Sequence, residues 1–494
     1  MSMPIVNRTA TDEEIRTMLR QSPLAAMREL LPDAAILEAC REAGHAFRRR
    51  LYDPVVSVLH YLAQAIQREH SFAATWHELW APVAADFPEV ASAAPAPSAL
   101  THARSRLPMG VMQYLAERAI RETEPDAAHW RGLRLMALDG TTVSMPRKEA
   151  LFLHYGAHRA RTTTVRYPLA RFCSLLAIGS STILDHRFGP FTTSETAMAT
   201  QLLGSVGPGD LVLADRNFAG SPPLARLLAR WADFLMLKNA RLIVERLPVV
   251  RRLGDEDFIV DMPVDKHARR KDPALPATVR VRIFRATWKS PSGEVLTERF
   301  VTSLWDRKRF KRRTLAKLHH ERWHIEISYL GFKQAFHADV LRSKTVANGE
   351  KEFAAHVLAY QLARRLMAAA ARKHDAKPTE ISFLNAARAV VRFSQHMAAA
   401  PAWALPIYSR PRARRHRRRS DRLTAPAASN PAPLHASGDT TRACASHDQN
   451  GERTAWGGPA EAYLTAIGKL DFCRFLRLPT HRELLAQEED SCRF

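Results

Sequence analysis

The run LVLA at 211–214 constrains the fold more than any other segment of the chain. It is apolar throughout and stops at Asp215, which is typical of a strand that is covered on both faces. Such a strand lies in the centre of a sheet, and a helical pattern, SPPLARLLARWA, follows it. The segment therefore predicts an α/β fold with Asp215 at the end of a central strand.

The rest of the chain divides into helical and strand-forming parts. Apolar residues at three- and four-residue spacing predict helices within 12–125, in DEEIRTMLRQ, AAILEACREA and PVVSVLHYLAQAIQ. From Leu133 the pattern predicts strands: LRLMALDG ends at Asp139, and RFCSLLAIG and TILDHRFG follow it, joined by a short turn. Between 241 and 305, LIVERLPVV and TVRVRIFRATW alternate apolar and polar residues, which predicts a β-rich region.

The segment HHERWHIEISYLGFKQ (319–334) is predicted to form one helix. At 100° per residue, Glu326 and Lys333 project within roughly 40° of Arg322, and His319 follows within roughly 60°. An adjoining apolar stripe is expected to face the core; its members are Leu318, Ile325, Tyr329, Phe332 and Phe336. The polar face then offers a carboxylate between cations, which predicts either a structural Arg322–Glu326 ion pair or a site for a charged ligand.

Asp139, Asp215 and Glu326 predict a metal site when they are considered together. Taken singly, an Asp-Gly after a strand is usually a turn. Both aspartates are predicted at the ends of strands, where acidic groups can converge on a ligand. Three carboxylates in one place repel each other unless a cation lies between them, and Mg²⁺ accepts such oxygen ligands. A two-ion site activates a water or hydroxyl and stabilises the leaving oxygen of a phosphodiester.

The charge of the chain favours a polyanionic partner. The sequence has 73 Lys and Arg against 50 Asp and Glu, a net charge of +23 and a pI near 10.4, which indicates nucleic acid. Arg48, Arg49 and Arg50 could lie along a phosphate backbone or form a solvated helix end. Eight arginines crowd 410–422, and the Pro/Ala/Ser-rich stretch after them predicts disorder.

The cysteines and the apolar segments favour a cytoplasmic protein. The five cysteines are scattered without a Cys-x-x-Cys pair, which argues against a disulfide framework or a zinc site. The N-terminal segment MSMPIVNRTATDEEIR does not have the pattern of an export signal. No apolar run reaches the roughly 18 residues of a membrane span. We therefore expect a cytoplasmic location and no membrane partner.

Together, these motifs resemble the DDE transposases of bacterial insertion sequences, specifically the insertion element four family. Arg322, Glu326 and Lys333 keep the spacing of that family's Tyr-x2-Arg-x3-Glu-x6-Lys motif. ALDGTT around Asp139 and GDLVLADRNF around Asp215 resemble the family's two aspartate strands, and ILDHRFGPFTTSETAMATQLL resembles the block between them. The similarity covers about residues 20–420, and the order of the motifs is more specific than any one of them.

The resemblance implies a ribonuclease-H-like catalytic core that acts on DNA. The implied metal ligands are Asp139, Asp215 and Glu326, with two Mg²⁺ ions for which Mn²⁺ can substitute. Arg322, Lys333 and His319 are implied DNA contacts. The implied function is a transposase that binds terminal inverted repeats, pairs them as a homodimer, cuts the ends and joins the 3′-hydroxyls to target DNA through a hairpin intermediate.

The chain departs from the family pattern at two motif positions. His319 stands where the motif has tyrosine, and its imidazole can still hydrogen-bond a phosphate. Asn217 stands where the family commonly has glycine, and asparagine tolerates the left-handed backbone that a glycine adopts.

The implied organisation is an α/β fold with an N-terminal helical domain and a β-rich insertion. Its parts are the helical, DNA-end-binding domain (1–125), the first part of the core (130–240), the insertion (241–305), the second part of the core with the Glu326 helix (306–400), a basic arm (401–424) and a low-complexity tail (425–494). Two other functions remain open at this point: a DNA-binding transposase derivative that no longer cuts, and a structure-specific nuclease with the same core.

Overall fold

The computed structural model describes part of the chain: residues 31–48, 52–66, 72–77, 80, 97–123, 129–157, 167–289, 295–373 and 376–387. The predicted helix DEEIRTMLRQ, the arginines Arg49 and Arg50, the basic arm and the low-complexity tail lie outside these residues. Among the described helices, none is both long and apolar enough to cross a membrane.

Helices come first along the chain, and a mixed α/β region follows them. The described helices are α1 (Asp33–Glu42), α2 (Pro54–Ile66), α3 (Pro97–Arg106), α4 (Met109–Arg121), α5 (Glu149–Tyr155), α6 (Glu195–Leu202), α7 (Ser221–Ala229), α8 (Lys266–Lys271), α9 (Arg312–His320), α10 (Trp323–Phe336) and α11 (Val346–Lys373). The strands are β1 (His129–Trp130), β2 (Leu133–Ser144), β3 (Leu169–Ala177), β4 (Thr182–Pro190), β5 (Asp210–Ala214), β6 (Asp233–Leu237), β7 (Val249–Gly254), β8 (Asp257–Pro263), β9 (Thr278–Lys289) and β10 (Val295–Thr302).

The strands form one sheet whose central part has the expected ribonuclease-H-like order. Strands β2, β3 and β4 form an antiparallel meander, and β5 and β6 lie parallel to β2 on its other side. Residues Leu211–Ala214 of β5 are fully buried between β2 and β6, as the apolar run predicts. This order and these directions confirm the predicted fold class.

The N-terminal helices share a core with one face of this sheet. Helix α2 is buried along its whole length, because its 13 residues pack between neighbouring helices and α11. Asp53 caps α2 by accepting a hydrogen bond from the N–H of Val56 at 2.9 Å. One apolar cluster runs from these helices through α10 and α11 to β2 and β3. The helical region is therefore packed on the core in this structure.

The β-rich insertion extends the same sheet. Strand β10 pairs antiparallel with β6, and β9, β8 and β7 continue the sheet outward. The predicted strand over LIVERLPVV was wrong in its first residues: Val244–Arg246 form a 3₁₀ turn, and β7 begins only after Pro248, which has no N–H to donate. Inside the insertion, Arg282 and Asp257 form a fully buried bidentate ion pair at 2.8 and 2.9 Å.

Strand β2 is longer than the sequence pattern predicts. It pairs with β3 from Met136 to Ser144, whereas its pairing with β5 stops at Leu138 and Ala214. Asp139 therefore lies inside β2 and not at its end, which corrects the prediction. Beyond β5, residues Arg216–Phe218 form a 3₁₀ turn, so Asn217 does not have the left-handed backbone that we expected of it.

The segment predicted as one helix is two helices, α9 and α10. Around the junction the N–H of Arg322 bonds to the carbonyl of His319 at 3.1 Å, and that of Ile325 bonds to the carbonyl of Arg322 at 3.0 Å. These bonds span three residues instead of four, which tightens the turn and breaks the α-helical register. The relative angle predicted for His319 and Arg322 therefore does not hold, but the apolar stripe on α10 is buried as predicted.

Candidate active site

Arg322 links two of the predicted metal ligands. Its Nη1 lies 3.1 Å from Asp139 Oδ2, and its Nη2 lies 2.5 Å from Glu326 Oε1. Asp139 comes from β2 and the other two residues from the start of α10, so a strand and a helix that are distant in sequence meet here. The predicted ion pair between Arg322 and Glu326 is present, and Arg322 also contacts a third charged group, Asp139.

Two residues further along α10, Tyr329 and Lys333, form hydrogen bonds with the same strand, β2. Tyr329 donates a hydrogen bond from its hydroxyl to the main-chain carbonyl of Asp139 at 2.8 Å, and the same hydroxyl lies 2.8 Å from Ser174 Oγ. Lys333 donates from Nζ to Thr141 Oγ1 at 2.7 Å. Helix α10 is thus fastened along β2, which fixes the position of Asp139 relative to the helix. The sequence predicted Tyr329 only as a core residue, and its hydroxyl carries this further role.

Asp215 directly follows β5, one residue beyond the last pair of β2 with β5. That pair joins Leu138 to Ala214, so Asp139 and Asp215 are the next residues on two neighbouring parallel strands. In this register their side chains start from the same edge of the sheet. The sequence predicted that the two aspartates converge, and the register places their backbones side by side where β5 stops.

His319 contacts the last residue of β5. Its side chain is 8% exposed, its Nε2 lies 3.1 Å from the carbonyl oxygen of Ala214, and its ring packs against Phe300. Burial lowers the pKa of His319 to about 4, so the imidazole is neutral at pH 7. The contact with Ala214 fixes the residue immediately before Asp215.

The electrostatics of Asp139 reflect its burial. The pKa of Asp139 is raised to about 6, chiefly by burial, and the nearby carboxylates of Glu195 and Glu326 contribute to this rise. The N–H of Gly140, at 2.8 Å, and the guanidinium of Arg322 act in the opposite direction. Burial also lowers the pKa of Lys333. A desolvated carboxylate with like charges beside it is stabilised by any cation that can approach it.

The three predicted metal ligands are all carboxylates, and Arg322 contacts two of them. Asp139, Asp215 and Glu326 offer oxygen atoms only, which is the chemistry that Mg²⁺ prefers. Among the described residues, no three His, Cys, Asp or Glu side chains are grouped closely enough to form a metal centre. The guanidinium of Arg322 lies between two of them and supplies the positive charge there.

An open cavity of about 850 Å³ lies beside Arg322. It is bounded by the insertion on one side and by α9 and the start of α10 on the other. Its lining combines cations with aromatic rings and includes Arg313, Lys317, Arg322, Trp288 and Trp323. Aromatic faces beside cations can hold a nucleotide base and its phosphate.

Arg48, a predicted DNA contact, and Glu195, which the sequence did not indicate, both lie in described parts of the chain. Arg48 is exposed and lines a separate hollow of about 290 Å³ with His45 and Arg106, away from the Asp139 cleft. Glu195, which the sequence analysis missed, opens α6 and reaches toward β2 at Gly140. The signal in the sequence was a glycine directly after Asp139, since glycine inside a strand often marks a close approach.

The transposase DDE domain family matches residues 130–362, which include Asp139, Asp215, Arg322, Glu326 and Lys333. This region of the chain is therefore similar to the transposase DDE domain, and two curated transposases support the resemblance to the insertion element four type.

The curated relatives come from Escherichia coli K12. The chain is 26% identical to the transposase InsG of insertion sequence element IS4 over 389 residues, covering 75% of this chain and 83% of InsG. It is 32% identical to the putative transposase InsZ over 131 residues, covering 24% of this chain and 42% of InsZ. A solved structure, the piggyBac transposase synaptic complex with hairpin DNA, aligns with a TM-score of 0.42 and 11% identity, covering 77% of this chain and 82% of the other.

Proposed function

We propose that this DNA transposase cuts the ends of its element with divalent metal and joins the freed 3′-hydroxyls to target DNA. The observation that carries the proposal is the contact of Arg322 with both Asp139 and Glu326; Lys333 lies about two turns further along α10, and Asp215 directly follows the neighbouring strand β5. These residues lie within the matched DDE domain. A protein that only binds DNA does not need converging carboxylates.

Asp139, Asp215 and Glu326 would hold the metal ions, which we propose to be two Mg²⁺, with Mn²⁺ able to substitute. When bound, such ions activate the attacking water or hydroxyl and stabilise the leaving oxygen. Arg322 would then exchange at least one carboxylate partner for a DNA phosphate, because a guanidinium binds phosphate in the same two-pronged way. In this exchange the guanidinium of Arg322 would leave a carboxylate of the protein and bind a phosphate of the DNA.

Lys333 and His319 would have different tasks at the DNA end. Lys333 is half-buried and already donates to a hydroxyl, so a phosphate oxygen can replace Thr141 as its acceptor. His319 would act as a positioning residue, because it is neutral and faces the carbonyl of Ala214. The cavity beside Arg322 would receive the terminal nucleotides, with Trp288 as a stacking surface.

The wider reaction needs two DNA ends. We propose that the protein binds terminal inverted repeats through basic residues that include Arg48, Arg49 and Arg50, and that two copies pair the ends as a homodimer. Water first hydrolyses one strand and leaves a 3′-hydroxyl. That hydroxyl attacks the opposite phosphodiester and displaces its 3′-oxygen, which gives a hairpin; hydrolysis then reopens it before strand transfer. The net charge of +23 supplies the long-range attraction to both DNA partners.

Glu326→Gln tests the proposed function directly. The substitution keeps size and hydrogen-bonding capacity but removes the charge that a divalent ion needs, so nicking of a labelled end substrate in Mg²⁺ should fall by at least about 1000-fold. Binding of the same DNA without metal should persist. Glu117→Gln, which removes an exposed charge on α4, is the matched control and should cut like the parent.

The outcomes separate the competing functions. If the parent nicks the DNA and forms paired-end complexes, and Glu326→Gln does not nick, the result supports a transposase. Nicking without any paired-end complex would favour a structure-specific nuclease. A parent that binds the ends and never nicks them in Mg²⁺ or Mn²⁺ would refute the enzymatic proposal and leave a DNA-binding derivative.

A further inference from the structure

The connection between β8 and β9 carries a dense group of cations. It contains the short helix α8, whose sequence is KHARRK. Four of its residues are lysine or arginine, none is acidic, and all four cations are exposed to solvent: Lys266, Arg269, Arg270 and Lys271. We refer to these four residues as the α8 cations.

The two acids that flank α8 are engaged elsewhere. Asp265 accepts a hydrogen bond at 2.7 Å from a main-chain N–H inside α8 and so caps the helix, and Asp272 accepts one at 2.9 Å from Arg226 of α7. None of the α8 cations forms an ion pair or a side-chain hydrogen bond with another described residue. Lys266 and Arg270 are four positions apart, and like charges at this spacing destabilise a helix. An anion bound from outside the protein would relieve this repulsion.

Helix α8 is fixed in place on α7 and on the sheet. The N–H of Asp265 donates a hydrogen bond to Ser221 Oγ of α7 at 3.2 Å, and the bond between Asp272 and α7 holds the other end. Val264 and Leu275, on either side of the helix, are buried in the apolar cluster under α7. The α8 cations therefore have a defined position on the protein surface.

The orientation of α8 directs two of its cations away from the protein. Ala268 packs against the apolar cluster under α7, so this residue marks the inner side of the helix. At 100° per residue, Lys266 and Arg270 each project roughly 160° away from Ala268 and within roughly 40° of each other. Their Cβ atoms are then about 5–6 Å apart, so both can contact one phosphate backbone.

The α8 cations lie on the face of the sheet opposite the cavity beside Arg322. Helix α7 and Ala268 pack on the apolar cluster that contains Val279 and Val281 of β9. The cavity is lined by Trp288 and by parts of α9 and α10, which pack on the other apolar cluster. A DNA end in that cavity would therefore leave α8 available to a second duplex.

A further cation extends this basic face to the outer edge of the sheet. Arg252 of β7 pairs in register with Phe258 of β8, and its guanidinium lies over that ring at 5.1 Å from the centroid. Phe258 packs against the same apolar cluster as Ala268, so Arg252 lies on the face that carries α8. Arg252 is also exposed.

We propose that the α8 cations bind the phosphate backbone of target DNA. The proposal rests on the proposed transposase function and names the surface that holds one of its two DNA partners. Lysine and arginine that contact phosphates attract a duplex without reading its sequence, which suits a partner of varied sequence. Ser221, which holds the start of α8, comes shortly after Asp215 in the chain, so the surface is tied to the segment that carries a proposed metal ligand.

The test is binding of a fluorescein-labelled duplex of unrelated sequence to the full-length protein, measured by fluorescence anisotropy over a series of KCl concentrations. The protein is first saturated with an unlabelled end duplex, and the buffer contains a chelator. Combining Lys266→Ala with Arg270→Ala should reduce the slope of log K against log salt concentration by roughly 0.9 for each cation removed. Combining Lys266→Arg with Arg270→Lys keeps both charges and should leave the slope at the parental value.

Arg280→Ala is the matched control for Arg270→Ala. Arg280 is also an exposed arginine of the insertion, but it lies between Val279 and Val281 in β9 and so projects from the opposite face. It is already paired with Asp261 at 2.8 Å. Arg270→Ala should reduce the slope for the unrelated duplex, and Arg280→Ala should not.

Two results would overturn the proposal. The first is a parental slope for the unrelated duplex in the double alanine variant. The second is an equal loss of slope when the labelled end duplex is bound alone, because α8 would then contact the end of the element. Failure of the proposed function is read separately, as a parent that never nicks its ends in Mg²⁺ or Mn²⁺, whereas the salt slopes are measured without metal.

Discussion

Replacing Asp139 with asparagine should stabilise the metal-free protein while it abolishes DNA cleavage. The ionised carboxylate is held in a largely buried position, with its side chain 19% exposed. Burial raises its pKa from the ordinary 3.8 to about 6, a shift that already includes the opposing effect of Arg322. Asparagine has nearly the same shape and no charge to desolvate.

The magnitude follows from linkage between protonation and folding. Because the folded-state pKa is raised, the carboxyl group contributes stability that is fully present below pH 3.8 and is lost as pH rises through about 6. Over the whole range the loss is about 3 kcal/mol, and between pH 5 and pH 8 it is about 1.4 kcal/mol. The asparagine variant does not lose this contribution, so its stability relative to the parent should rise by that amount from pH 5 to pH 8.

Thermal unfolding at pH 5, 6, 7 and 8 in a chelating buffer measures this effect. A difference of this size corresponds to a gain of about 1–2 °C in Tm for the variant at pH 8 relative to pH 5, because the unfolding entropy of so long a chain is large. Parallel pH dependences for the parent and the variant would refute the argument, because Asp139 would then titrate as an ordinary exposed carboxyl group. Cleavage assays on the same two proteins, transferred to buffer with Mg²⁺, should show that the parent cuts and the more stable variant does not.

Two other substitutions test separate parts of the structure. Lys333→Ala should reduce the slope of log K for end binding against log salt concentration by roughly 0.9 if the contacted DNA is duplex. Lys148→Ala, which removes an exposed lysine, is the control and should leave the slope unchanged. An unchanged slope with normal cleavage in Lys333→Ala would limit Lys333 to its bond with Thr141. Asp257→Asn should destabilise the protein by about 3–5 kcal/mol in urea unfolding, because it leaves Arg282 charged and buried without its acid. Asp261→Asn, which opens the exposed pair with Arg280, should change stability little, and equal losses in both variants would contradict the role of burial.

Local sequence patterns were sufficient for the centre of the fold. An apolar run leaves no polar face, so the sequence of β5 by itself determined a doubly covered strand with Asp215 at its end. Helical periodicity likewise determined the buried stripe of α10, and it placed Glu326 and Lys333 together on the adjoining polar face. These properties depend on residues within a few positions of each other, which is why the sequence alone predicted them.

Other features depend on which segments become neighbours. Strand β2 extends past Asp139 because β3 pairs with it to Ser144, and LRLMALDG contains no sign of that partner. The break between α9 and α10 follows from three-residue hydrogen bonds, whereas the periodicity of the side chains continues across it. His319 turned inward for the same reason, since its acceptor is a carbonyl of β5 that is distant in sequence.

The site itself shows the same division. The sequence identified three acids and two cations, because their types and spacing were visible along the chain. Only the tertiary structure decided that Arg322 bridges Asp139 and Glu326, that Tyr329 binds the main chain of β2, and that Glu195 fills the space left by Gly140. Each of these contacts joins residues on different elements, and their distances are fixed by how the helices pack on the two faces of the sheet and not by any local pattern.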